Sequence, residues 1–498
     1  MKNEISKKGL KLFGLLTLST LTLVLIQRMT PSPTNRIFFL VGQAPSSSDP
    51  LEYDIAVHQE IFRSTFSSLI SNYKRGEYTG ILASSWHSKN NDKVWVFKIR
   101  KGLKFENGDP IHPENIVNSL MRAAFCIKKR NSHENLLVHL KNFNEVLSPV
   151  SKISGLQFDD DSVKFEFDRP IPQMLELISF GIYSLAHHSD YDLTTGEWKN
   201  KKEFISSGPY KVVDWQNESI KLLLRKDFLA DLGHRNKFEE INITWNKSIN
   251  DFDLMSGPEM EGPNNPELEF SGGAKSGIFY IHCLSWNNPK SFFYKVENRK
   301  YLRDLFFAKL SKRFTVTSSF FPLAISGVSA PQAKFDYPVT PLSQNAKVSV
   351  NYPRRGSIEF KKIFSEIWRE ISGEILSVSE VKVDPPKLFE LKDPSLANYE
   401  AELSLFFTGI SINDPKDDIK FMFLSKEGIK LPDSTGEIHR TLKESDFEYQ
   451  TINKLIWDQA IIWPLFHFSD GLWAKKNVDL SVLNNIIPPV DFFWVGRK

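Results

Sequence analysis

The stretch covering residues 82–125 constrains the fold more than any other part of this sequence. Residues 94–100 alternate between apolar and more polar side chains, which is typical of a β-strand with one buried face. Turn chemistry follows at residues 107–110. A helical pattern then begins near Pro113, where the missing proline N–H costs no hydrogen bond. The stretch therefore predicts a strand, a turn and an amphipathic helix in that order.

Length and charge restrict the class of protein. A chain of 498 residues is too long for one hydrophobic core and predicts two or three lobes. Its 63 basic and 60 acidic residues leave a formal net charge of +3, which gives no support to nucleic-acid binding. The two cysteines, Cys126 and Cys283, are too few for a disulfide framework or a zinc site. Two unpaired thiols are favoured, and a single bridge between them stays open.

The N-terminal segment has the pattern of an export signal. Lysines within residues 1–11 precede a mostly apolar run, residues 12–26. As a helix this run spans roughly 22 Å, short of a bilayer core of about 30 Å, which favours a signal peptide over a membrane span. Neither a small-x-small cleavage site nor a cysteine for lipid attachment follows it. Two outcomes stay open: cleavage near residues 30–35, or retention as an uncleaved inner-membrane anchor.

Patterns typical of enzymes are weak in this sequence. His133–Glu134 with His139 does not fit the H-E-x-x-H zinc pattern, because the second histidine comes too late for adjacent helical turns. His187 and His188, followed by two aspartates, have metal-ligating side chains, but a solvated loop is the favoured interpretation. No nucleophile elbow, P-loop or dinucleotide fingerprint occurs. The sequence therefore predicts a protein that is not an enzyme, with no catalytic residue, metal or cofactor.

Hydrophobic periodicity predicts the remaining elements. Helices are expected over residues 57–82, 300–313, 356–372 and 446–462, with a further helical part in 130–155. Strands are expected over residues 37–41, 163–168, 278–286, 401–407 and 464–468. Residues 245–277 are rich in glycine and proline and predict loops.

The residues of the 82–125 stretch resemble a phrase of the extracytoplasmic solute-binding proteins of peptide- and nickel-type ABC importers, bacterial family 5. That phrase has the form LA-x-x-W, then F-x-L-R-x-G-x-x-F-x-x-G, then S-x-x-R. The matching residues here are Leu82, Ala83, Trp86, Phe97, Ile99, Arg100, Gly102, Phe105, Gly108, Ile116, Ser119 and Arg122. Residues 207–212 (SGPYKV) resemble the family's G-P-Y hairpin, and Asp49-Pro50 resembles its L-D-P phrase. The resemblance extends from about Ile37 to Trp494 and is weakest at 245–277.

The resemblance implies an α/β, two-lobed fold of periplasmic-binding-protein type II with an additional subdomain inserted in the first lobe. The strands at 278–286 and 464–468 are then expected to cross side by side between the lobes. The implied boundaries are residues 1–35 for a signal peptide or membrane anchor with its spacer, 36–50, 156–280 and 466–498 for lobe I, 51–155 for the extra subdomain of lobe I, and 281–465 for lobe II.

The implied function is capture of a peptide or other small solute between the lobes and its delivery to the permease subunits of an ABC transporter. The resemblance also implies a periplasmic monomer, either free or tethered by the N-terminal segment, without nucleic acid as a partner. The alternative is a membrane-tethered sensor or scaffold that uses the same fold without import.

The expected ligand-binding residues surround the strand at 401–407. Peptide-binding members of the family use an aspartate after this strand to pair with the ligand's ammonium group, and that position falls at or near Ser411 here. A buried ammonium without a partner costs several kcal/mol, so the usual recognition of free peptide N-termini is not expected unless Asp414 or Asp417 takes the role. Backbone groups of residues 405–409 and 41–44 are expected to pair with the ligand. The implied site comprises Gln43, Trp286, Phe407, Thr408, Gly409, Ser411 and Asp414.

Overall fold

The structure is a computed structural model, and its helices and strands are numbered here in chain order. It describes residues 35–42, 44–45, 47–52, 56–74, 77–130, 135–200, 202–228, 237–246, 251–259, 265–272, 275, 277–322, 325, 328, 346–351, 358–372, 376–381, 402–409, 415–424, 440–442, 447–481, 483, 492 and 494–498. The described helices are α1 (Ala56–Thr65), α2 (Pro113–Arg130), α3 (Met174–Ile178), α4 (Val296–Leu310), α5 (Ile358–Ser372), α6 (Pro415–Leu424) and α7 (Tyr449–Gln459). The described strands are β1 (Arg36–Leu40), β2 (Ile70–Lys74), β3 (Glu77–Gly80), β4 (Ala83–Lys89), β5 (Val94–Ile99), β6 (Leu156–Phe158), β7 (Ser162–Glu166), β8 (Tyr210–Trp215), β9 (Ser219–Leu224), β10 (Glu240–Thr244), β11 (Leu254–Pro258), β12 (Leu268–Gly272), β13 (Gly277–Cys283), β14 (Ala346–Asn351), β15 (Leu376–Val381), β16 (Leu403–Gly409), β17 (Ile462–Phe468), β18 (Asp470–Lys475), β19 (Val478–Asp479) and β20 (Gly496–Arg497).

A seven-stranded sheet forms the first large body, in the order β12-β18-β11-β1-β10-β9-β8. Its central strand, β1, runs parallel to both β10 and β11, and the other pairings are antiparallel. Ile37 and Phe39 are fully buried in one hydrophobic core, whereas the alternate residues Phe38 and Leu40 are half-buried. This alternation matches the period of two that predicts a strand here.

A four-stranded antiparallel sheet, β4-β5-β7-β6, and helix α2 form the subdomain. Phe97 on β5 and Phe165 on β7 lie edge to face at 5.7 Å between ring centroids, inside the core that α2 covers. The helix begins at Pro113 as predicted. The helix expected within residues 130–155 is wrong, because the described part holds only two 3₁₀ turns, Leu136–His139 and Phe143–Glu145.

Helix α1 ends at Thr65 because residues 206–208 take over the hydrogen bonds beyond its last turn. The N–H of Gly208 donates to the Thr65 carbonyl at 2.8 Å, and the Ser207 hydroxyl accepts the N–H of Ser67 at 3.1 Å. A Cβ on Gly208 would lie 2.5 Å from the Thr65 carbonyl carbon, so only glycine permits this approach. The helix predicted over 57–82 is therefore wrong beyond Thr65, where β2 and β3 form instead.

A five-stranded sheet, β15-β14-β16-β13-β17, forms the second large body. Strands β14, β15 and β16 are parallel neighbours, and β13 runs antiparallel to β16 and β17. Helices α4 and α5 pack against it, with the rings of Phe306 and Trp368 at 4.6 Å. Both helices agree in type with the prediction, because Phe364, Ile367, Trp368 and Ile371 recur at helical spacing and are buried.

The lobe boundaries stay a prediction, although those after residues 155, 280 and 465 fall inside described sheets. The subdomain sheet continues past residue 155, since β6 and β7 complete it, and β13 begins before residue 281. Residues 245–277, predicted as loops, contain β11 and β12. Cys126 and Cys283 are free thiols. The described residues include no helix long and apolar enough to cross a membrane, and the predicted export segment lies outside them.

A buried ion pair joins the subdomain to the segment that follows β1. Both terminal nitrogens of Arg122 on α2 donate to the carboxylate of Asp49, at 2.9 and 2.6 Å, and the Arg122 side chain is 2% exposed. Its Nε donates to the carbonyl of Gly196 at 2.9 Å, and the rings of Tyr191 and Trp198 flank the guanidinium. The arginine of the S-x-x-R phrase and the aspartate of the L-D-P phrase are therefore direct partners.

We expect Arg122→Met to lower the free energy of unfolding by about 3–5 kcal/mol, because it leaves the Asp49 carboxylate buried without its cation. Urea denaturation followed by circular dichroism measures this loss. Lys98→Met is the matched control: Lys98 pairs with Asp161 at 3.3 Å, but its side chain is 58% exposed. The control should cost no more than about 1 kcal/mol. Equal losses for the two variants would contradict the structural role of the buried pair.

Candidate functional site

Two adjacent strand connections link the large sheets. β12 leads into β13 and β17 leads into β18, so each connection leaves one sheet and enters the other. The connected strands also pair with each other: β12 with β18 in the seven-stranded sheet, and β13 with β17 in the five-stranded sheet. The sequence prediction that residues 278–286 and 464–468 cross side by side is confirmed.

Glycines occupy the crossing itself. Gly257, Gly471 and Gly272 lie opposite one another on β11, β18 and β12. A Cβ on Gly471 would lie 2.4 Å from the backbone oxygen of Ser271 and 2.8 Å from the Phe270 ring. The three strands thus approach closely where the chain leaves the seven-stranded sheet. Sequence analysis missed this row of three glycines, because only the register of the strands brings them together.

The parallel strands of both sheets end towards this crossing. β14 pairs with β16 only at Leu403 and Ser404, and β16 continues to Gly409, which lies opposite Gly277 of the crossing strand. In the other sheet β1 pairs with β11 only at Leu254 and Met255, and β11 continues towards the crossing. Ligands of open α/β sheets bind in the crevice outside the carboxyl ends of parallel strands. Both sheets therefore point to the crossing as the candidate site.

Three predicted site residues lie together on β16. Phe407, Thr408 and Gly409 form its last part, past the end of β14, and none of the described strands pairs with that side of Thr408 and Gly409. Thr408 is half-buried, its hydroxyl donates to the Gly409 carbonyl at 3.3 Å, and Gly409 is exposed. These residues form a strand edge to which an extended chain can add.

The structure does not bring Trp286 to this edge. β13 runs from Gly277, opposite Gly409, to Cys283, opposite Leu403, and Trp286 follows Cys283. The half-buried indole packs on the core of the five-stranded sheet, at the far end of β16. Its role in binding stays a prediction, as do those of Gln43, Ser411 and Asp414, which lie outside the described residues.

A second polar cluster lies away from the crossing, around residues 187–190. His187 is buried, and its Nε2 lies 3.1 Å from Oδ2 of Asp109. Burial lowers the pKa of His187, against the effect of this carboxylate. Burial raises the pKa of Asp190 to about 7, and the neighbouring Glu106 adds to that rise. The Asp190 carboxylate accepts the N–H of Ile205 at 3.0 Å, which ties two loops together.

These side chains do not form a metal site. In the part of the chain that the structure describes, no group of three or more histidine, cysteine, aspartate or glutamate side chains is arranged to hold a metal ion. His467 lies on β17, and its Nε2 is 3.0 Å from the Ser319 carbonyl. This contact agrees with the interpretation of His467 as a hydrogen-bonded core histidine and not a ligand-binding residue.

Sequence comparisons identify one family over part of the chain. Residues 77–251 match the family model described as "Bacterial extracellular solute-binding proteins, family 5 Middle". The periplasmic oligopeptide-binding protein OppA of Escherichia coli (strain K12) is 24% identical over 187 residues, which cover 36% of this chain and 34% of that protein. The oligopeptide-binding protein OppA of Bacillus subtilis (strain 168) is 24% identical over 193 residues, covering 37% and 34%. The chain thus spans about a third of the length of these relatives.

Solved structures match almost the whole chain. Haemophilus influenzae OppA in complex with RPPGFSPFR has a TM-score of 0.69 at 16% identity, covering 94% of this chain and 99% of that chain. The Escherichia coli murein tripeptide binding protein MppA has a TM-score of 0.68 at 15% identity, with the same coverage of 94% and 99%. The predicted two-lobed α/β fold of periplasmic-binding-protein type II and the resemblance to family 5 are confirmed.

We expect Gly471→Ala to lower the free energy of unfolding by about 1–3 kcal/mol, because the added methyl group meets the backbone of Ser271. Equilibrium denaturation in urea gives this value. Gly409→Ala is the control, since a Cβ there meets no atom within 4 Å. A Gly471 variant as stable as the Gly409 variant would show that the crossing is not tightly packed.

Asp190→Asn should stabilise the protein at pH 8 and have little effect at pH 4. A raised carboxyl pKa means that the folded state holds a proton that the unfolded state releases, so stability is lost as pH rises from about 4 through 7. The difference between this pKa of about 7 and that of an unfolded aspartate limits the gain to about 4 kcal/mol. Thermal unfolding across this pH range tests it, with Asp192→Asn as control, because backbone N–H donors lower the pKa of Asp192. A pH-independent gain would refute the assignment.

Proposed function

We propose that this chain captures an extended peptide between its two lobes and delivers it to the permease subunits of an ABC importer. The observation that carries the proposal is the last part of β16, which continues past β14 beside the crossing strands. A peptide added as a further strand would bond to backbone groups and so need no single sequence. Each such hydrogen bond contributes only about 0.5–1.5 kcal/mol, so several are required.

The relatives support a peptide as the ligand and the periplasm as the location. Two curated relatives are named oligopeptide-binding proteins, one of them periplasmic, and one structural neighbour is in complex with the peptide RPPGFSPFR. The family is described as one of solute-binding proteins, which agrees with the absence of enzyme motifs from the sequence. The alternative of a tethered sensor depends on the N-terminal segment, which lies outside the described residues.

Closure of the lobes around the ligand would bend the chain at the crossing. The two connections are short, and Gly272, Gly277 and Gly471 lie within or beside them. Glycine tolerates the backbone changes that a hinge requires. A ligand that moves the equilibrium from 1:99 to 99:1 in favour of the closed form must bind that form more tightly by about 5.5 kcal/mol. Contacts with both sheet edges at once would supply this difference.

Peptides from a tryptic digest, used as the probe, should remain bound to the full-length protein in native mass spectrometry. A synthetic copy of a retained peptide with alternate backbone amides methylated should bind about 10- to 100-fold more weakly, because two or more strand hydrogen bonds are lost. A second copy, methylated at the intervening amides, is the matched control, since only one set faces the strand edge. Isothermal titration calorimetry measures both.

Two outcomes would contradict the proposal. If the protein retains no peptide, peptides are not its ligands. If both methylated copies bind with equal affinity, the peptide does not bind as an added strand. The sequence has no acid between Thr408 and Asn413, which allows a separate test of how the peptide's N-terminus is recognised. Acetylating the peptide's N-terminus should leave its affinity nearly unchanged, and a loss of 100-fold or more would show that a carboxylate such as Asp414 pairs with the ammonium after all.

A further inference from the structure

Two histidines lie on the strands that cross between the lobes. His282 is on β13 and His467 is on β17. The register places His467 opposite Ile278, and Ile278 lies four residues before His282 on the same strand. Because side chains alternate along a strand, the two histidines project from the same face of the five-stranded sheet.

His282 is buried without a hydrogen-bond partner. It is 7% exposed, and neither ring nitrogen is bonded within the described residues. Its strand neighbours are Ser404 and Ile462, and the rings of Phe406 and Tyr280 share its face of the sheet. Burial lowers the pKa of His282 to about 4, with no charge contributing to the shift. The imidazole is therefore neutral, and among the described residues no hydrogen-bond acceptor or carboxylate stabilises its protonated form.

His467 differs in having one hydrogen bond. Its Nε2 is 3.0 Å from the Ser319 carbonyl, which favours the protonated form, yet burial still lowers its pKa to about 4, and Lys275 adds to the decrease. The charged groups Arg299 and Glu402 act on Cys283, whose side chain lies on the opposite face of β13. Within the described residues, no carboxylate contributes to the pKa of either histidine, so none is placed to balance their protonation.

We propose that His282 and His467 make the crossing an acid-sensitive lock, whose protonation separates β13 from β17 while the subdomain sheet stays folded. The connection between the lobes would loosen first in an acidified periplasm. This device belongs to the fold itself and is independent of which ligand the protein binds.

The direction follows from proton linkage. A histidine in the unfolded or opened chain titrates near 6.5, and these two titrate near 4 when the strands are paired. The opened state therefore binds more protons between these values, and the paired state loses stability as pH falls from 6.5 towards 4. Relative to pH 7, each histidine favours opening at pH 5 by about 20-fold, and the two together by about 400-fold.

The subdomain supplies an internal contrast. His187 is also buried, but the carboxylate of Asp109 lies 3.1 Å from its Nε2 and favours its protonated form. The raised pKa of Asp190 makes that region more stable, not less, as pH falls. Acid should therefore affect the crossing before it affects β5 and β7.

Hydrogen exchange of the full-length protein at pH 7 and pH 5 tests the lock, with rates corrected for intrinsic exchange. Amides of β13 and β17 should lose protection by about 400-fold relative to those of β5 and β7. His282→Phe should reduce that loss to about 20-fold, because it removes one of the two titrating groups. The matched control is His87→Phe on β4, where the histidine is exposed and should leave the loss unchanged.

Loss of protection spread equally over all the sheets would overturn the proposal, and so would an acid response of undiminished size in His282→Phe. If that variant does not fold, the wild-type protein labelled with carbon-13 histidine decides the question by NMR. A His282 ring that titrates below pH 5 supports the lock, and one that titrates near 6.5 refutes it.

Discussion

The pairing of β13 with β17 is the contact on which the arrangement of the molecule depends. Both strands belong to the five-stranded sheet, and each connects directly to a strand of the seven-stranded sheet, where β12 and β18 pair in turn. The two lobes therefore share a double connection in which each chain holds the other in register. A single covalent linker would leave their orientation undetermined, whereas two hydrogen-bonded strands restrict it to bending about the glycines.

The subdomain is fixed by a different kind of interaction. Arg122 and Asp49 form a buried ion pair with two parallel hydrogen bonds. Such a bidentate pair fixes the orientation of helix α2 relative to the segment after β1, because the guanidinium and the carboxylate fit in one arrangement. The Gly208 contact with Thr65 adds a close backbone approach on the same side. The residues that match the family's sequence phrases are thus the ones that hold distant segments of the chain together.

Sequence patterns predicted correctly the strands and helices whose formation depends on residues close together in the chain. β5 and α2 follow from alternation, turn chemistry and a favourable first turn, all within residues 82–125. The end of α1 could not be predicted, because it depends on Gly208, which lies far along the chain. β11 and β12 were missed for a similar reason: their glycine-rich segments become strands by pairing with β18 and, for β11, with β1, both of which lie far away along the chain. At the candidate site the family resemblance led to Thr408 and Gly409, whereas the glycine row required a register that no local pattern contains.

The order of the paired strands along the chain also has a consequence for biogenesis. β11 and β12 are synthesised roughly 200 residues before their partner β18, with the whole five-stranded body between them. Contacts between such distant residues form slowly, because the intervening loop must close first. During that interval the growing sheet has an incomplete edge, which is a template for intermolecular association. Chaperones that shield this edge until the last strand arrives should therefore increase the yield of native protein.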